Sequence, residues 1–158
     1  MAHQAILLIG SNIDPTVNIP KAIHLLREAH PIARISSVWE TNAVGRDDAP
    51  RFLNLAVEIN TVMDMATLKE SSLKQIETRL CRIRTEDKNA PRTMDIDIIL
   101  FDQQVVDPTL WAQVHIILPV AEICPEFQHP VTGIKLTELA RRLYPGSQAR
   151  IVEDLVLD

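Results

Sequence analysis

The stretch that most constrains the fold is residues 94–101, MDIDIILF, which is apolar except for Asp95 and Asp97. Successive side chains of a β-strand point to opposite faces and rise about 3.3 Å per residue. A strand here places both carboxylates on one face, roughly 7 Å apart. Met94, Ile96 and Ile98 then point to the other face, toward a core. The pattern predicts a buried strand that carries two acids side by side.

Two carboxylates this close repel each other unless a cation lies between them. A pair of divalent ions, typically about 3.5–4 Å apart in two-metal sites, matches the spacing of Asp95 and Asp97. The alternative is an edge strand whose acidic face is solvated. At this point both interpretations stand.

Four cations lie just before this strand. Arg82 and Arg84 end a predicted helix, Lys88 lies in the loop that follows, and Arg92 directly precedes the strand. Guanidinium groups bind phosphate oxygens in a bidentate fork and keep their charge. A helix dipole also accounts for Arg82 and Arg84, but not for Arg92. Cations next to a carboxylate pair indicate phosphoryl transfer.

The periodicity of apolar residues predicts the other elements. A strand over residues 5–9 precedes a helix capped by Asn18, with Pro20 in its first turn. The stretches ARISSVWET and RFLNLAVEINT alternate as half-buried strands do. A long helix capped by Asp64 leads to the D-x-D strand, and residues 102–104 turn the chain back.

A further helix near the C-terminus completes the pattern. The order is βαββαβ with additional C-terminal elements, and we expect one domain over residues 1–158. The fold class is α+β and ferredoxin-like: a mainly antiparallel sheet covered by helices, which we expect on one face.

Composition narrows the choice of partners. The net charge of −5 argues against a general nucleic-acid binder. MAHQAILLIGSN is typical of a first strand and not of a signal peptide, and no apolar run approaches the roughly 20 residues that span a bilayer. Cys81 and Cys124 lie in apolar surroundings, as reduced core thiols do. We expect a cytoplasmic monomer with no nucleic-acid or membrane partner.

The stretch PRTMDIDIILF resembles the signature of the 6-hydroxymethyl-7,8-dihydropterin pyrophosphokinase family of folate biosynthesis. IGSN, SSVWET, FLNLAVEI, the I-E-x-x-x-x-R-x-R helix end and LPVAEICPEF follow in that family's order. The resemblance covers most of residues 5–140. It implies transfer of the β,γ-pyrophosphoryl group of ATP to the pterin hydroxymethyl oxygen, with release of AMP.

The resemblance also implies residue roles on the phosphate side. Asp95 and Asp97 would ligate two Mg²⁺ ions, and Asp97 would draw the proton from the substrate hydroxyl. The cations and one acid would contact the nucleotide: Arg82 and Arg92 at the transferring phosphates, Arg84 and Lys88 beside them, and Glu77 one helix turn earlier.

On the pterin side, backbone groups from Thr41 through Asn42 to Val44 would meet the ring edge. Phe52 would supply one aromatic face and Asn54 would read the pyrimidine-like edge with its carboxamide. From the residues alone, Phe52 and Asn54 share one face of a strand. An Asn there is equally well explained as a structural residue with a satisfied side chain.

Three places depart from the family pattern: the loop that ends in residues 88–91 lacks the usual aromatic, residues 41–45 lack the usual proline, and residues 108–119 are shortened. The stretch PTLWAQVHIILP is several residues shorter than usual and contains no Arg. His115 within it is interpreted as the second aromatic that sandwiches the pterin. Two alternatives stay open for His115: a nucleotide-side histidine, and a histidine with only a structural or surface position. Trp111 is not assigned.

The absence of an arginine from the shortened segment favours a second possible function. A paralogue that binds the pterin or the nucleotide but transfers poorly would explain the short segment. The pair Asp95 and Asp97 favours the enzyme, because pterin binding alone does not require it. A ferredoxin-like RNA-binding module is disfavoured by the acidic charge and by the lack of stacking aromatics on the sheet.

Overall fold

The computed structural model of the protein describes residues 2–42, 51–80 and 94–157. The strands in these ranges are β1 (His3–Ser11), β2 (Ile32–Ile35), β3 (Val38–Thr41), β4 (Phe52–Thr61), β5 (Asp95–Phe101), β6 (Gln104–Val105) and β7 (Arg150–Val152). They form one sheet in the order β6-β5-β1-β4-β3-β7, with β2 paired to β4. All of these pairings are antiparallel. The predicted α+β class with a mainly antiparallel sheet is confirmed.

The helices in the described ranges are α1 (Pro15–Ala29), α2 (Met65–Thr67), α3 (Lys74–Arg79), α4 (Val114–Ile123) and α5 (Leu136–Leu143). A π-helical segment (Leu68–Leu73) joins α2 to α3, and short 3₁₀ helices lie at Pro108–Ala112 and Tyr144–Gly146. The predicted cap Asp64 is confirmed, because its side chain accepts a 2.8 Å hydrogen bond from Thr67 N–H. None of the helices in the described part of the chain has the length and apolar character needed to cross a bilayer.

The core lies on both faces of the sheet, so the expectation of helices on one face was wrong. Alternate residues of β1 divide between two clusters. Ala5, Leu7 and Ile9 pack with α1 and α3, and Ile6 and Leu8 pack with α4. The apolar segment that precedes Cys124 forms α4 itself, which covers the second face.

Strand β4 is buried on both faces, which corrects its prediction as a half-buried strand. Its alternating polar residues misled the prediction because they are buried with partners. Glu58 is 6% exposed. Its carboxylate accepts hydrogen bonds from Arg34 Nε at 2.8 Å and from Gln4 Nε2 at 2.9 Å.

Helix α1 begins earlier than predicted. Pro15 occupies its first position and Asp14 precedes it, so Asn18 is not the N-cap and Pro20 lies inside the helix. Proline suits the first turn because its missing N–H has no intrahelical partner there. The Asn18 side chain instead donates a 2.7 Å hydrogen bond to Ile13 O.

The structure describes one of the two cysteines that were predicted to be reduced core thiols. Cys124 has a free, half-buried thiol that packs against the cluster on the α4 face. Burial raises the pKa of this thiol, which disfavours the reactive thiolate. Cys81 lies outside the described residues.

Candidate active site

A row of residues crosses the sheet on the face that α4 covers. Gly10 on β1 lies opposite Asp95 on β5 and opposite Asn54 on β4, which in turn faces Trp39 on β3. Directly paired residues of antiparallel strands point to the same face. The sheet therefore brings an acid, a glycine and a carboxamide together from distant parts of the sequence.

Asp95, Gly10 and Asn54 of this row line a cavity of about 190 Å³ at the N-terminal end of α4. The cavity is lined by residues of β1, β3, β4, β5 and the segment from 110 to 116: Leu8, Gly10, Thr41, Asn42, Phe52, Asn54, Asp95, Asp97, Leu110, Gln113, His115 and Ile116. The cavity is thus lined by all the predicted pterin-binding residues and metal ligands that lie in the described ranges.

The two aspartates share a face as predicted. Asp95 and Asp97 are half-buried and line the cavity, whereas Ile96 and Ile98 are buried in the cluster on the opposite face. Asp97 also lies directly opposite Leu8 on the central strand β1. Both carboxylates face this cavity, and their role as metal ligands stays a prediction.

Gly10 makes room for the Asn54 side chain. A Cβ atom at residue 10 would lie 2.7 Å from Asn54 Oδ1, closer than non-bonded atoms approach. Asn54 is 3% exposed, and its Nδ2 donates a 2.7 Å hydrogen bond to Thr41 Oγ1. Thr41 thus orients the carboxamide through its side chain, while our prediction concerned its backbone groups. Asn54 has a structural partner and also lines the cavity.

The aromatic residues of the site are half-exposed. Phe52 begins β4, and His115 lies in the first turn of α4. Both line the cavity, and the interpretation of His115 as the second pterin aromatic stays a prediction. Trp111, which was not assigned, is a core residue that stacks on Phe127 with ring centroids 5.5 Å apart.

Glu77 lies behind the aspartates and does not line the cavity. It is 4% exposed, and its Oε2 accepts a 2.9 Å hydrogen bond from Ile96 N–H. Ile96 is the residue between Asp95 and Asp97. The described contact of Glu77 is therefore with the strand that carries both acids, and its predicted contact with the nucleotide stays a prediction.

The remaining predicted residues lie outside the described ranges: Val44, Arg82, Arg84, Lys88 and Arg92. No Lys or Arg of the described part of the chain lines the cavity. The predicted phosphate-binding residues Arg82, Arg84, Lys88 and Arg92 all lie between residues 81 and 93, outside the described ranges, so their contact with this cavity stays a prediction.

Five lining residues were not predicted: Leu8, Gly10, Leu110, Gln113 and Ile116. Gly10 had a signal in the stretch IGSN, because a glycine between two strand residues often marks a close approach. Leu8, Leu110 and Ile116 carry no chemical signal, since apolar residues of a cavity wall resemble core residues in sequence, and Gln113 lies in no motif that singles it out.

The donor chemistry of the site suits a hard divalent cation. Asp95 and Asp97 offer carboxylate oxygens, and Mg²⁺ is commonly held by one or two carboxylates together with substrate phosphates and water. Within residues 2–42, 51–80 and 94–157 no cluster of three or more His, Cys, Asp or Glu side chains forms a complete metal site. The residues present fit a metal that is completed by the substrate.

The sequence matches the model of a known protein family. The model of the 7,8-dihydro-6-hydroxymethylpterin-pyrophosphokinase (HPPK) family matches residues 6–125. A 2-amino-4-hydroxy-6-hydroxymethyldihydropteridine pyrophosphokinase of Bacillus subtilis is 33% identical and covers 91% of this chain and 92% of its own length. The corresponding enzyme of Aquifex aeolicus is 31% identical, over 82% of this chain and 86% of its own.

Solved structures give the same fold at lower identity. The Plasmodium falciparum HPPK-DHPS A437G structure with STZ-DHP aligns with a TM-score of 0.70 and 14% identity. The alignment covers 90% of this chain and 45% of that one, so this chain spans less than half of it. A structure of HPPK-DHPS in complex with substrates aligns with a TM-score of 0.66.

Proposed function

Because the chain belongs to the 7,8-dihydro-6-hydroxymethylpterin-pyrophosphokinase family, we propose that the cavity beside α4 is its active site. As a member of this family the chain is a pyrophosphokinase with ATP as its co-substrate. It transfers pyrophosphate from ATP to 6-hydroxymethyl-7,8-dihydropterin and releases AMP. The observation that best supports this site is that one cavity is lined by both Asp95 and Asp97 and by Phe52 and Asn54.

We assign the pterin to the part of the cavity between β3, β4 and α4. One Nδ2 hydrogen of Asn54 is used by Thr41. Its second N–H and its Oδ1 remain for the donor and acceptor atoms at the edge of the pterin ring. Phe52 and His115 supply ring faces for stacking, and Asn42 lies at the rim. The apolar side chains of Leu110 and Ile116 exclude water from the ring.

We assign the triphosphate to the side of Asp95 and Asp97. These two carboxylates would hold the Mg²⁺ ions, which we propose to be two. When bound, Mg²⁺ neutralises phosphate charge and aligns the phosphates. Arg82, Arg84, Lys88 and Arg92 are the proposed phosphate ligands of the chain. Positioned cations of this kind act where charge develops in phosphoryl transfer.

The chemical step we propose uses Asp97 as a base. Its carboxylate accepts the proton of the pterin hydroxyl, and the hydroxyl oxygen attacks the β-phosphorus of ATP. The bond from that phosphorus to the oxygen shared with the α-phosphate breaks, and AMP leaves with this oxygen. The proton on Asp97 then returns to water. A monomeric state and a cytoplasmic location are further parts of the proposal.

The direct test supplies the protein with ATP, MgCl₂ and 6-hydroxymethyl-7,8-dihydropterin and measures AMP. We expect one AMP for each pyrophosphorylated pterin. Asp97→Asn and Asp95→Asn should each lower turnover at least about a hundredfold. Asp154→Asn, which removes one exposed carboxylate near the C-terminus, is the matched control and should leave turnover unchanged.

The same test separates the enzyme from a protein that only binds its ligands. No Lys or Arg of the described residues lines the cavity, which is the observation that keeps the second possibility in view. A protein that binds pterin and ATP but forms no AMP would contradict transfer at this site. Near-normal turnover of Asp97→Asn would instead contradict our assignment of the base.

A further inference from the structure

The turn that precedes β7 contacts one residue that lines the cavity and one that directly precedes a lining residue. Gln148 accepts a 3.1 Å hydrogen bond at its side-chain Oε1 from Asn42 Nδ2. Its backbone carbonyl accepts a 2.6 Å hydrogen bond from an Arg51 guanidinium nitrogen. One residue of the C-terminal region therefore holds the ends of both described segments that border residues 43–50.

Arg51 fixes this arrangement to the sheet. The same guanidinium nitrogen that donates to Gln148 also donates to Glu40 O at 3.1 Å. The Glu40 carboxylate lies 3.6 Å from Arg51 Nε and pairs with Arg150 as well. Because Glu40 is the ladder partner of Arg150 on β7, the turn is bound to β3 by the ladder and by charged side chains.

The two residues held by Gln148 are next to substrate-side residues. Asn42 lines the cavity and follows Thr41, and Arg51 directly precedes Phe52. Thr41 and Phe52 are themselves ladder partners. Gln148 does not line the cavity, so any influence on a ligand must pass through Asn42 and Arg51.

The backbone conformation of Gln148 is one that favours glycine, so the presence of a glutamine side chain there calls for a reason. Gln148 has a φ of 59°, in the left-handed region. Residues with a Cβ atom adopt this region at a cost, and glycine adopts it readily. Glycine would therefore suit the backbone better, and the glutamine side chain contributes the acceptor for Asn42.

We propose that Gln148 is a positioning residue for the pterin side of the active site. Its side chain orients Asn42 at the rim, and its carbonyl holds Arg51 ahead of Phe52. This inference rests on the proposed function, because it presumes that the pterin occupies this part of the cavity.

The test compares Gln148→Gly and Gln148→Glu with the unmodified protein. Glycine keeps the carbonyl for Arg51 and fits the backbone but removes the acceptor for Asn42, whereas the Glu carboxylate still accepts from Asn42 Nδ2. We expect Gln148→Gly to raise the KM for the pterin roughly two- to tenfold, the size of effect of one hydrogen bond. The KM for ATP and the melting temperature should change little, and Gln148→Glu should behave as the unmodified protein.

A double-mutant cycle with Asn42→Ala tests whether Gln148 affects pterin binding through Asn42. Once Asn42 has lost its carboxamide, the change Gln148→Gly should add nothing to the KM for the pterin. An unchanged KM in Gln148→Gly, or equal losses for pterin and ATP together with a lower melting temperature, would overturn the proposal. Additive effects in the cycle would overturn it as well.

Pterin binding by titration calorimetry separates this inference from the proposed function. If the unmodified protein binds pterin but forms no AMP, transfer is contradicted, and the effect of Gln148→Gly on the pterin Kd still decides the role of Gln148. If the unmodified protein binds no pterin, the inference about Gln148 falls together with the pterin assignment.

Discussion

Gly10 on β1 and Asn54 on β4 are directly opposed, and a Cβ at residue 10 would lie 2.7 Å from Asn54 Oδ1. The glycine thus sets the position of a carboxamide 44 residues later in the chain. Since Asn54 also donates to Thr41 at 2.7 Å, the carboxamide is confined on two sides.

The first prediction concerns this contact. Gly10→Ala should push Asn54 away from Thr41 and raise the Kd of the pterin about tenfold or more. Overpacking of this kind also costs about 1–3 kcal/mol of stability. Titration calorimetry with pterin and with ATP measures the effect, and ATP affinity should change much less.

Asn54→Ala provides the matched control for Gly10→Ala. Alone, it should weaken pterin binding by about 1–3 kcal/mol, the range for leaving a buried polar partner unpaired. In the double variant the methyl group of Ala at residue 10 has room, so stability should partly return. Simple addition of the two stability losses would show that Gly10 is required for another reason.

The second prediction concerns Glu77, whose carboxylate accepts from Ile96 N–H. In the described residues, β6 pairs with β5 only at Leu100 and Phe101. At Ile96 the carboxylate therefore takes the place of a neighbouring strand. Glu77→Leu should cost about 1–3 kcal/mol, because it leaves a buried N–H without an acceptor. It should also lower turnover, since Asp95 and Asp97 flank Ile96.

Glu77→Gln is the variant that identifies the role of Glu77. Its amide oxygen still accepts from Ile96 N–H, so stability and the KM for ATP should stay close to those of the unmodified protein. Urea unfolding and steady-state kinetics measure both. A large rise in the KM for ATP at unchanged stability would show instead that the charge of Glu77 contacts the nucleotide.

Much of the fold was predictable from local pattern, and the exceptions have physical causes. The alternation in MDIDIILF placed Asp95 and Asp97 correctly, because one face of β5 is apolar over its length. The same rule failed on β4. Asn54 and Glu58 are polar yet buried, and their partners Thr41, Arg34 and Gln4 come from other strands, which periodicity cannot reveal.

Local rules also fail where two signals compete. Asn18 and Asp14 are equally good capping residues by type, but Pro15 follows Asp14 and starts α1, and Asn18 bonds to Ile13 O instead. The cavity wall formed by Leu110, Gln113 and Ile116 depends on how the short segment before α4 folds back onto the sheet. No pattern within that segment indicates this contact.

The third prediction concerns pH. His30 directly follows α1 as its C-cap and is 4% exposed, with Nε2 2.8 Å from Ser72 Oγ. Burial lowers the pKa of His30 below its usual 6.5. As pH falls below 6.5, His30 binds a proton in the unfolded chain but stays neutral in the folded chain until the pH is lower. The free energy of unfolding should therefore fall between pH 7 and pH 5.

His30→Gln should reduce this dependence, because glutamine does not titrate and still bonds to a hydroxyl. Urea unfolding at pH 7.5 and pH 5 measures it. Hydrogen bonds hold the pKa values of three exposed aspartates below their usual 3.8, so these groups stay charged in this range: Asp64, Asp102 and Asp107. An equal loss of stability in His30→Gln and the unmodified protein would assign the effect to other groups.

The fourth prediction decides the role of His115, which lines the cavity together with Phe52. If its ring stacks on the pterin, His115→Phe should keep the KM for the pterin within about threefold. His115→Ala should raise that KM roughly two- to tenfold, as expected from one aromatic pair. The KM for ATP should change little in both variants.

If a ring nitrogen of His115 instead contacts the nucleotide, phenylalanine cannot replace it. Both variants should then raise the KM for ATP while the KM for the pterin stays constant. Steady-state kinetics of the two variants with each substrate varied in turn therefore separates the two roles, because only the stacking role is rescued by a ring without nitrogen.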